Sequence, residues 1–229
     1  MSSVSAVIVA AGKGTRMGSG MDKLFLEVAG RPLVAHTWST FDSSADIDHV
    51  VVVVRSGLEP DFEQLAKTYR FKKPYSFAVG GVERQNSVWN GLAAVPNEAD
   101  IVAIQDGARP CTTHTIISDC IAAARELGAA VAAQRITDTI KEVGANNLVA
   151  RHLDRSKFWS VQTPQVFRKG IILKALEAAL KQNRSITDDT AACELIGQAV
   201  KLVESLTPNP KATSLADLPF LELLLGSPA

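Results

Sequence analysis

Residues 4–23 read VSAVIVAAGKGTRMGSGMDK, and no other stretch of the chain is as informative. Its first seven residues, 4–10, have the length and apolar character of a buried strand. They lead into a loop of small residues that carries three cations, Lys13, Arg16 and Lys23. Because small residues let backbone amides approach a ligand and cations attract phosphate, this loop predicts a nucleoside triphosphate site. The alternative is an ordinary flexible loop between a strand and a helix.

Two familiar phosphate-binding motifs do not match this loop. A Walker A loop requires glycine, four further residues and then Gly-Lys-Ser/Thr, whereas Lys13 is followed by Gly14 and the first glycine position is Val7. The dinucleotide fingerprint requires the spacing G-x-G-x-x-G, and its third place is occupied by Met17. The loop is therefore neither of these two motifs.

The amino-acid composition argues against several classes of protein. Lys+Arg and Asp+Glu both number 24 among 229 residues, so the formal net charge is +0, which argues against sequence-independent nucleic-acid binding. The three cysteines form no C-x-x-C pair and the four histidines show no i, i+4 spacing, so a zinc site is not expected. The apolar run at residues 4–11 follows no basic segment and is soon interrupted, so neither a signal peptide nor a membrane span is expected. We expect a soluble, cytoplasmic protein.

Short β-branched runs alternate with amphipathic stretches along the chain. Strands are predicted at 4–10, 50–55, 75–79, 101–105, 129–134 and 199–203. Helices are predicted at 32–41, 60–69, 85–94, 113–127, 169–181, 188–196 and 215–225. This alternation predicts an α/β fold in which a single domain, residues 1–229, forms a doubly wound, mostly parallel sheet.

Residues 137–160 interrupt the alternation. Two stretches of alternating polarity flank a turn that reads GANN at 144–147, which is typical of a β-hairpin. A lone two-stranded hairpin is marginal in water, so it lies on a domain of its own or packs against a second subunit. Since helices already cover the sheet of an α/β fold, we expect a protruding dimerisation arm and a homodimer.

Four polar loops are expected on one rim of the sheet. Ligands of open α/β sheets bind beyond the carboxyl ends of the strands, and the predicted strands deliver four loops there. These are 10–23, 80–87, 106–110 and 137–139. Their convergence indicates a binding site more strongly than any single motif does.

The loop residues each have a functional and a structural interpretation. Gly80 and Gly81 suit close approach of the backbone to a planar base that Ser87 can hydrogen-bond, or they form a tight turn with Ser87 in the next helix. Asp106 can hold a divalent cation or orient a second substrate, or it caps the next helix. Arg109 offers a planar fork to a phosphate, or it forms a surface salt bridge.

The C-terminal third adds further candidates. Thr163 follows a predicted short strand. Thr187 is expected first as a helix cap, with Asp188 and Asp189 favourable in the first turn. Lys211, in the loop after the last predicted strand, would by itself be a solvated lysine.

Taken in chain order, these residues resemble one known family. The motifs are Ala10-Ala11-Gly12-x-Gly14-x-Arg16-Met17, Lys23, Gly80-Gly81-x-x-Arg84-x-x-Ser87, Asp106-x-Ala108-Arg109-Pro110, Asp138-Thr139-x-Lys141, Thr163-Pro164-Gln165 and Thr187-Asp188. Over residues 4–218 the set resembles the 2-C-methyl-D-erythritol 4-phosphate cytidylyltransferases, which have a Rossmann-like nucleotidyltransferase fold. Gln105 stands where that family frequently has histidine, and Pro210 and Ala212 stand where branched aliphatic residues are usual.

The resemblance implies transfer of a cytidylyl group from CTP to 2-C-methyl-D-erythritol 4-phosphate, with Mg²⁺ as cofactor. It implies CTP binding by Ala10, Ala11, Gly12, Gly14, Gly80, Gly81 and Ser87. It implies catalytic roles for Arg16, Lys23, Asp106 and Lys211, and binding of the second substrate by Arg109, Thr139, Arg155, Thr163 and Thr187. Thr139 and Arg155 would reach the neighbouring subunit's site from the arm. Mg²⁺ would be held mainly by the phosphates of CTP, with Asp106 as a candidate ligand.

Four alternative functions remain. A sugar-1-phosphate nucleotidyltransferase is disfavoured, because those enzymes usually have a longer chain and a different glycine loop. A ribitol-5-phosphate cytidylyltransferase shares the loop and the fold, although residues 106–109 are more like the methylerythritol enzymes. A non-catalytic nucleotide-binding module would bind CTP without forming pyrophosphate, since a fold does not by itself imply an activity. A dinucleotide oxidoreductase is disfavoured by the failed glycine spacing.

Overall fold

A computed structural model describes residues 3–12 and 22–226 of the chain. The strands are β1 (Ser3–Val9), β2 (Glu27–Val28), β3 (Arg31–Pro32), β4 (His49–Val54), β5 (Tyr75–Val79), β6 (Ala99–Asp106), β7 (Ala129–Arg135), β8 (Ile140–Val143), β9 (Val149–Leu153), β10 (Trp159–Arg168) and β11 (Lys201–Glu204). The helices are α1 (Leu33–Ser43), α2 (Glu59–Tyr69), α3 (Arg84–Ala93), α4 (His114–Leu127), α5 (Lys169–Lys181), α6 (Asp189–Glu194) and α7 (Leu218–Gly226).

The central sheet has seven strands in the order β11-β7-β10-β6-β1-β4-β5. All six predicted strands lie in it, and neighbours pair in parallel except where β10 runs antiparallel to both β6 and β7. The prediction of a mostly parallel sheet is confirmed.

Strand β10 is not among the predicted strands, and the prediction that Thr163 follows a short strand is wrong. The structure has Thr163 inside a ten-residue strand, Trp159–Arg168. The polar stretch at residues 162–165 breaks the apolar pattern and so resembles a loop. The pairing of β10 with β7 shifts register between Val161 and Gln165, which is where Thr163 faces the end of β6.

The core lies on both faces of the sheet, as a doubly wound fold requires. The five consecutive valines at 50–54 are all fully buried, and they alternate between two apolar clusters. Residues of α1, α2, α4 and α7 pack in one cluster, and residues of α3, α5 and α6 pack in the other. The predicted strand is therefore buried on both faces.

The predicted hairpin forms as a separate two-stranded sheet of β8 and β9. It lies within residues 137–160, although Trp159 and Ser160 already belong to β10 of the central sheet. The guanidinium of Arg135 lies 4.4 Å from the ring centre of Trp159, at the base of the hairpin.

The strand order places a crevice between β1 and β6. In the central sheet, β4 pairs with one edge of β1, and β6 pairs with its other edge. Val9 at the end of β1 lies opposite Asp106 at the end of β6. Such a reversal of strand order is where open α/β sheets bind ligands.

Candidate active site

Two adjoining cavities lie at this crevice. The first has a volume of about 430 Å³, and its wall includes Gly12, Lys23 and Gly81. The second has a volume of about 530 Å³, and its wall includes Arg109, Thr163 and Thr187. Arg84, Asp106 and Lys211 line both cavities. Three of the four predicted loops therefore meet here, and the fourth, residues 137–139, lines neither cavity.

The diglycine turn after β5 leaves no room for a Cβ atom unless a neighbouring segment moves. A Cβ atom on Gly80 would lie 2.2 Å from the Cβ of Ala11, and one on Gly81 would lie 2.2 Å from the Cβ of Asn86. The Ser87 hydroxyl accepts a hydrogen bond from the Gly81 amide at 3.0 Å and donates to the Glu83 carbonyl at 3.2 Å. Ser87 thus closes the turn, and it also lines the first cavity.

Lys23 enters the first cavity from a short 3₁₀ helix, Lys23–Phe25. The Asp22 carboxylate caps this helix by accepting from the Leu24 amide at 3.1 Å, and it pairs with Arg55. The Lys23 ammonium donates to the carbonyl of Ala212 at 3.1 Å. Two predicted site residues, Gly14 and Arg16, lie outside the described residues.

Asp106 is the centre of a charged cluster between the cavities. Its Oδ2 lies 2.7 Å from Lys211 Nζ and 3.7 Å from Arg109 Nε, and its Oδ1 lies 3.5 Å from Arg84 Nε. Burial raises the pKa of Asp106, but the charges of Lys211 and Arg84 outweigh it and hold the pKa below its usual value. Asp106 does not cap a helix, because α4 is capped by Thr113.

A network of hydrogen bonds fixes Arg109 and the loop that carries Lys211. Arg109 Nη1 donates to the Asn209 carbonyl at 2.6 Å. The Asn209 amide donates to the Thr163 carbonyl at 2.9 Å and accepts from the Thr112 hydroxyl at 3.2 Å. Arg109 therefore does not form a salt bridge on the surface, and Lys211 is not simply a solvated side chain, since it pairs with Asp106.

Gln105, the residue that replaces a frequent histidine, braces the loop beside Asp106. Its side chain is fully buried, and Nε2 donates to the Thr112 hydroxyl at 2.9 Å and to the Arg109 carbonyl at 3.3 Å. The Asp106 amide in turn donates to the Thr163 hydroxyl at 3.1 Å. The backbone that presents Asp106 is thus held from both sides.

Helix α6 supplies the far wall of the second cavity. Its cap is Asp188, which accepts from the Ala191 amide at 3.1 Å, so the prediction that Thr187 caps this helix is wrong by one residue. Gln165 on β10 donates to the Asp188 carboxylate at 3.1 Å. Thr187 itself lines the cavity.

The roles of Arg84 and Asp189 are not evident from the sequence pattern. Arg84 stood in a quoted motif without a role, and Asp189 was expected only as a favourable charge in a helix. In the structure, Arg84 Nη2 lies 2.8 Å from Asp189 Oδ2, and the Asp189 side chain is fully buried. A run of two aspartates before an apolar segment is the signal that pointed to this position.

Thr139 and Arg155 lie together on the hairpin, away from the two cavities. They line a separate depression of about 340 Å³ with Asp154 and two other hairpin residues. The Arg155 guanidinium donates to the Thr137 carbonyl. Within one chain, the structure does not bring them to the other predicted site residues.

Residues 3–12 and 22–226, which the structure describes, were compared with the requirements of a metal site and of a membrane-spanning helix. They contain no group of three or more His, Cys, Asp or Glu side chains arranged to hold a metal ion. None of their helices has both the length and the apolar character needed to cross a membrane.

Comparison with known proteins decides the family. A family model described as 2-C-methyl-D-erythritol 4-phosphate cytidylyltransferase (IspD) matches residues 4–227. The chain belongs to this family. A relative of that name from Geobacillus thermodenitrificans is 43% identical over 222 residues, which are 97% of this chain and 96% of the relative.

Solved structures of this family have the same fold. A 4-diphosphocytidyl-2C-methyl-D-erythritol synthase from Anaerococcus prevotii superposes with a TM-score of 0.88 at 27% identity, covering 98% of this chain and 96% of that one. A 2-C-methyl-D-erythritol 4-phosphate cytidylyltransferase from Thermus thermophilus superposes with a TM-score of 0.81 at 30% identity, covering 98% and 100%. The predicted family and the α/β nucleotidyltransferase fold are both confirmed.

Proposed function

We propose that the chain transfers a cytidylyl group from CTP to 2-C-methyl-D-erythritol 4-phosphate. The products are 4-diphosphocytidyl-2-C-methyl-D-erythritol and pyrophosphate, and membership of the cytidylyltransferase family supports the assignment. The observation that carries it is the position of Arg84, Asp106 and Lys211, which border two adjoining cavities. A reaction between two phosphorylated molecules needs two neighbouring sites with cations between them.

The first cavity is proposed to hold CTP. The Gly80–Gly81 turn packs directly against Ala11, so bare backbone lines this cavity and can approach a planar base. Lys23 brings an ammonium group to the same wall for the triphosphate. The proposed CTP-binding residues are Ala10, Ala11, Gly12, Gly14, Gly80, Gly81 and Ser87, and Arg16 joins Lys23 as a proposed catalytic cation.

The second cavity is proposed to hold the polyol phosphate. Arg109 contributes a guanidinium fork that suits a phosphate, and Thr163 and Thr187 contribute hydroxyl groups. Lys211 lies at the side shared with the first cavity. This arrangement would direct the phosphate of the second substrate toward the triphosphate of CTP.

The chemistry is an in-line attack by the substrate phosphate on the α-phosphorus of CTP. An oxygen of the phosphate monoester forms the new P–O bond, and the bond to the departing pyrophosphate breaks. The second pKa of a phosphate monoester is about 6, so the nucleophile is largely dianionic near pH 7 and needs no general base. Lys211 and Asp106 are proposed to position the attacking phosphate, while Arg16 and Lys23 stabilise the charge on the α-phosphate.

A divalent cation, carried mainly by the nucleotide, is proposed to lie at the boundary between the cavities. The low pKa of Asp106 keeps its carboxylate ionised, and Mg²⁺ commonly binds one or two carboxylates together with substrate phosphates. Asp106 is the residue proposed to contact it. Bound Mg²⁺ would neutralise part of the triphosphate charge.

The hairpin at residues 137–160 is proposed to be the dimerisation arm. Val143 and Val149 on its strands are each 65% exposed, and Leu148 in its turn is 68% exposed. Exposed apolar side chains gathered on so small an element favour a partner that covers them. A second copy of the chain is the proposed partner, and Thr139 and Arg155 would then reach its second cavity.

Sedimentation analysis tests the arm. The wild type is expected to be a dimer, and Leu148→Lys is expected to shift it toward monomer because it places a charge in the buried contact. Leu180→Lys, which makes the same change at an exposed position of α5, is the matched control. A wild type that sediments as a monomer would contradict the proposal.

A pyrophosphate-release assay tests the activity itself. Each of the four nucleoside triphosphates is combined with 2-C-methyl-D-erythritol 4-phosphate or ribitol 5-phosphate, with and without Mg²⁺. Release is expected with CTP and the methylerythritol substrate in the presence of Mg²⁺. Preference for ribitol 5-phosphate would instead establish that alternative, and CTP binding without release would establish a non-catalytic module.

A further inference from the structure

A buried ion pair lies directly behind the charged boundary of the two cavities. Asp189, the first residue of α6, has no exposed side-chain surface. Its Oδ2 lies 2.8 Å from Nη2 of Arg84, the first residue of α3. Nε of the same guanidinium lies 3.5 Å from Asp106 Oδ1. Arg84 therefore stands between a carboxylate in the cavities and one outside them.

The backbone of Asp189 is fixed independently of Arg84. The Asp189 amide donates to the Gln165 side chain at 3.0 Å, and the Gln165 amide group donates to Asp188 at 3.1 Å. These bonds tie the start of α6 to β10, a strand of the central sheet. The start of α6 is thus held against the sheet, and the Asp189 carboxylate that it carries pairs with Arg84.

Stability alone is a poor reason for this pair. Removing a carboxylate fully from water is costly, and replacing a buried ion pair by apolar residues is often neutral or stabilising. Burial accordingly raises the pKa of Asp189, although Arg84 opposes the rise. Only the Arg84 side chain separates the Asp189 carboxylate from the boundary of the two cavities. A buried charge at this position is better explained by its effect on the groups at that boundary.

We infer that Asp189 is a positioning residue for the transfer, because it holds the Arg84 guanidinium in the orientation that faces both cavities. This inference rests on the proposed function. With Nη2 engaged by Asp189, Arg84 cannot turn fully onto Asp106, whose Oδ2 is left to Lys211 at 2.7 Å. The guanidinium charge then stays where the two phosphates approach each other, fixed before they bind.

The charge of the cluster predicts an unusual kinetic signature. Arg84, Arg109 and Lys211 face the carboxylates of Asp106 and Asp189, so neutralising Asp189 adds one net positive charge beside the second cavity. Binding of an anionic substrate is then retained while its alignment is lost. Asp189→Asn is therefore expected to lower kcat by about 10- to 100-fold, with KM for the polyol phosphate unchanged or lower.

The experiment compares kcat and both KM values of the full-length wild type and four variants by pyrophosphate release. The variants are Asp189→Asn, Arg84→Lys, their combination, and Glu177→Gln as a control that removes an exposed carboxylate paired with Lys181 on α5. Arg84→Lys keeps the charge beside Asp189 but cannot face two carboxylates, so its kcat falls without a rise in KM. Because Asp189 acts through Arg84, the combined variant is expected to lose little more than either single variant.

Several results would overturn the inference. They are a kcat for Asp189→Asn or Arg84→Lys within threefold of wild type, a KM that rises as kcat falls, or losses that multiply in the combined variant. If Asp189→Asn does not fold, Arg84→Lys applies the same criterion alone. An inactive wild type would overturn the proposed function and this inference with it, whereas an active wild type with unchanged variants would overturn the inference only.

Discussion

Replacing Gly80 by alanine tests whether the contact between two loops shapes the CTP site. The new Cβ would lie 2.2 Å from the Cβ of Ala11, whereas ordinary van der Waals contact begins at 3.4 Å. It would also lie 3.2 Å from the Ser87 hydroxyl and 3.5 Å from the Val54 carbonyl, so Gly80 itself has little room to retreat. The loop after β1 must therefore move.

The size of this movement sets the expected loss. To reach ordinary contact the two Cβ atoms must separate by about 1.2 Å, and a misplacement of about 1 Å in a reacting complex costs on the order of 10²-fold in rate. We expect kcat/KM for CTP to fall by about 10²-fold in Gly80→Ala. The sheet lies behind the loop and is not displaced, so the variant is expected to remain folded.

Steady-state kinetics with varied CTP measure the effect, and a second substitution identifies its cause. Ala11→Gly removes the Cβ atom with which the new Cβ collides. The combined variant Gly80→Ala/Ala11→Gly is therefore expected to have a kcat/KM for CTP close to that of Ala11→Gly alone and well above that of Gly80→Ala. Gly170→Ala is the control, since a Cβ there meets no atom within 4 Å. A Gly80→Ala enzyme within threefold of wild type, or a combined variant no better than Gly80→Ala, would refute the reasoning.

Two further predictions concern charged residues. Arg16→Ala and Lys23→Ala are each expected to fold normally and to lower kcat by at least ~10²-fold, because each removes a proposed donor to the α-phosphate. Near-wild-type turnover in either variant would remove that residue from the catalytic set. Asp106→Asn is expected to lower the melting temperature at pH 7, since it leaves Lys211 and Arg84 without their shared carboxylate. The folded-state pKa of Asp106 is lowered, so its stabilising effect is present above the unfolded pKa and is lost as pH falls through the folded pKa. The difference between wild type and Asp106→Asn in a thermal-shift series is therefore expected to narrow below about pH 4, and a difference independent of pH would contradict this account.

The periodic features of the sequence predicted the fold well. The valines at 50–54 indicated a strand buried on both faces, and they are fully buried between two helical layers. The rule that ligands bind at the carboxyl ends of strands brought residues 80–87 and 106–110 to one rim, where the structure has them. These predictions depend on local pattern and topology, both of which the sequence carries.

The features that the sequence did not reveal depend on contacts between distant segments. Strand β10 was missed because the polar residues at 162–165 turn toward the cavity instead of following a strand pattern. Arg84 and Asp189 lie 105 positions apart, and only the fold brings the first residue of α3 to the first residue of α6. Lys211 by itself has the pattern of a solvated lysine, and only the family resemblance places it in the site, where its ammonium lies 2.7 Å from Asp106.

A crystal structure of the protein grown with CTP would test the central claim most directly. We predict the cytosine base against the Gly80–Gly81 turn, the triphosphate beside Lys23, and the α-phosphate at the boundary formed by Arg84, Asp106 and Lys211. CTP bound away from the carboxyl ends of β1 and β6 would contradict the assignment of both cavities.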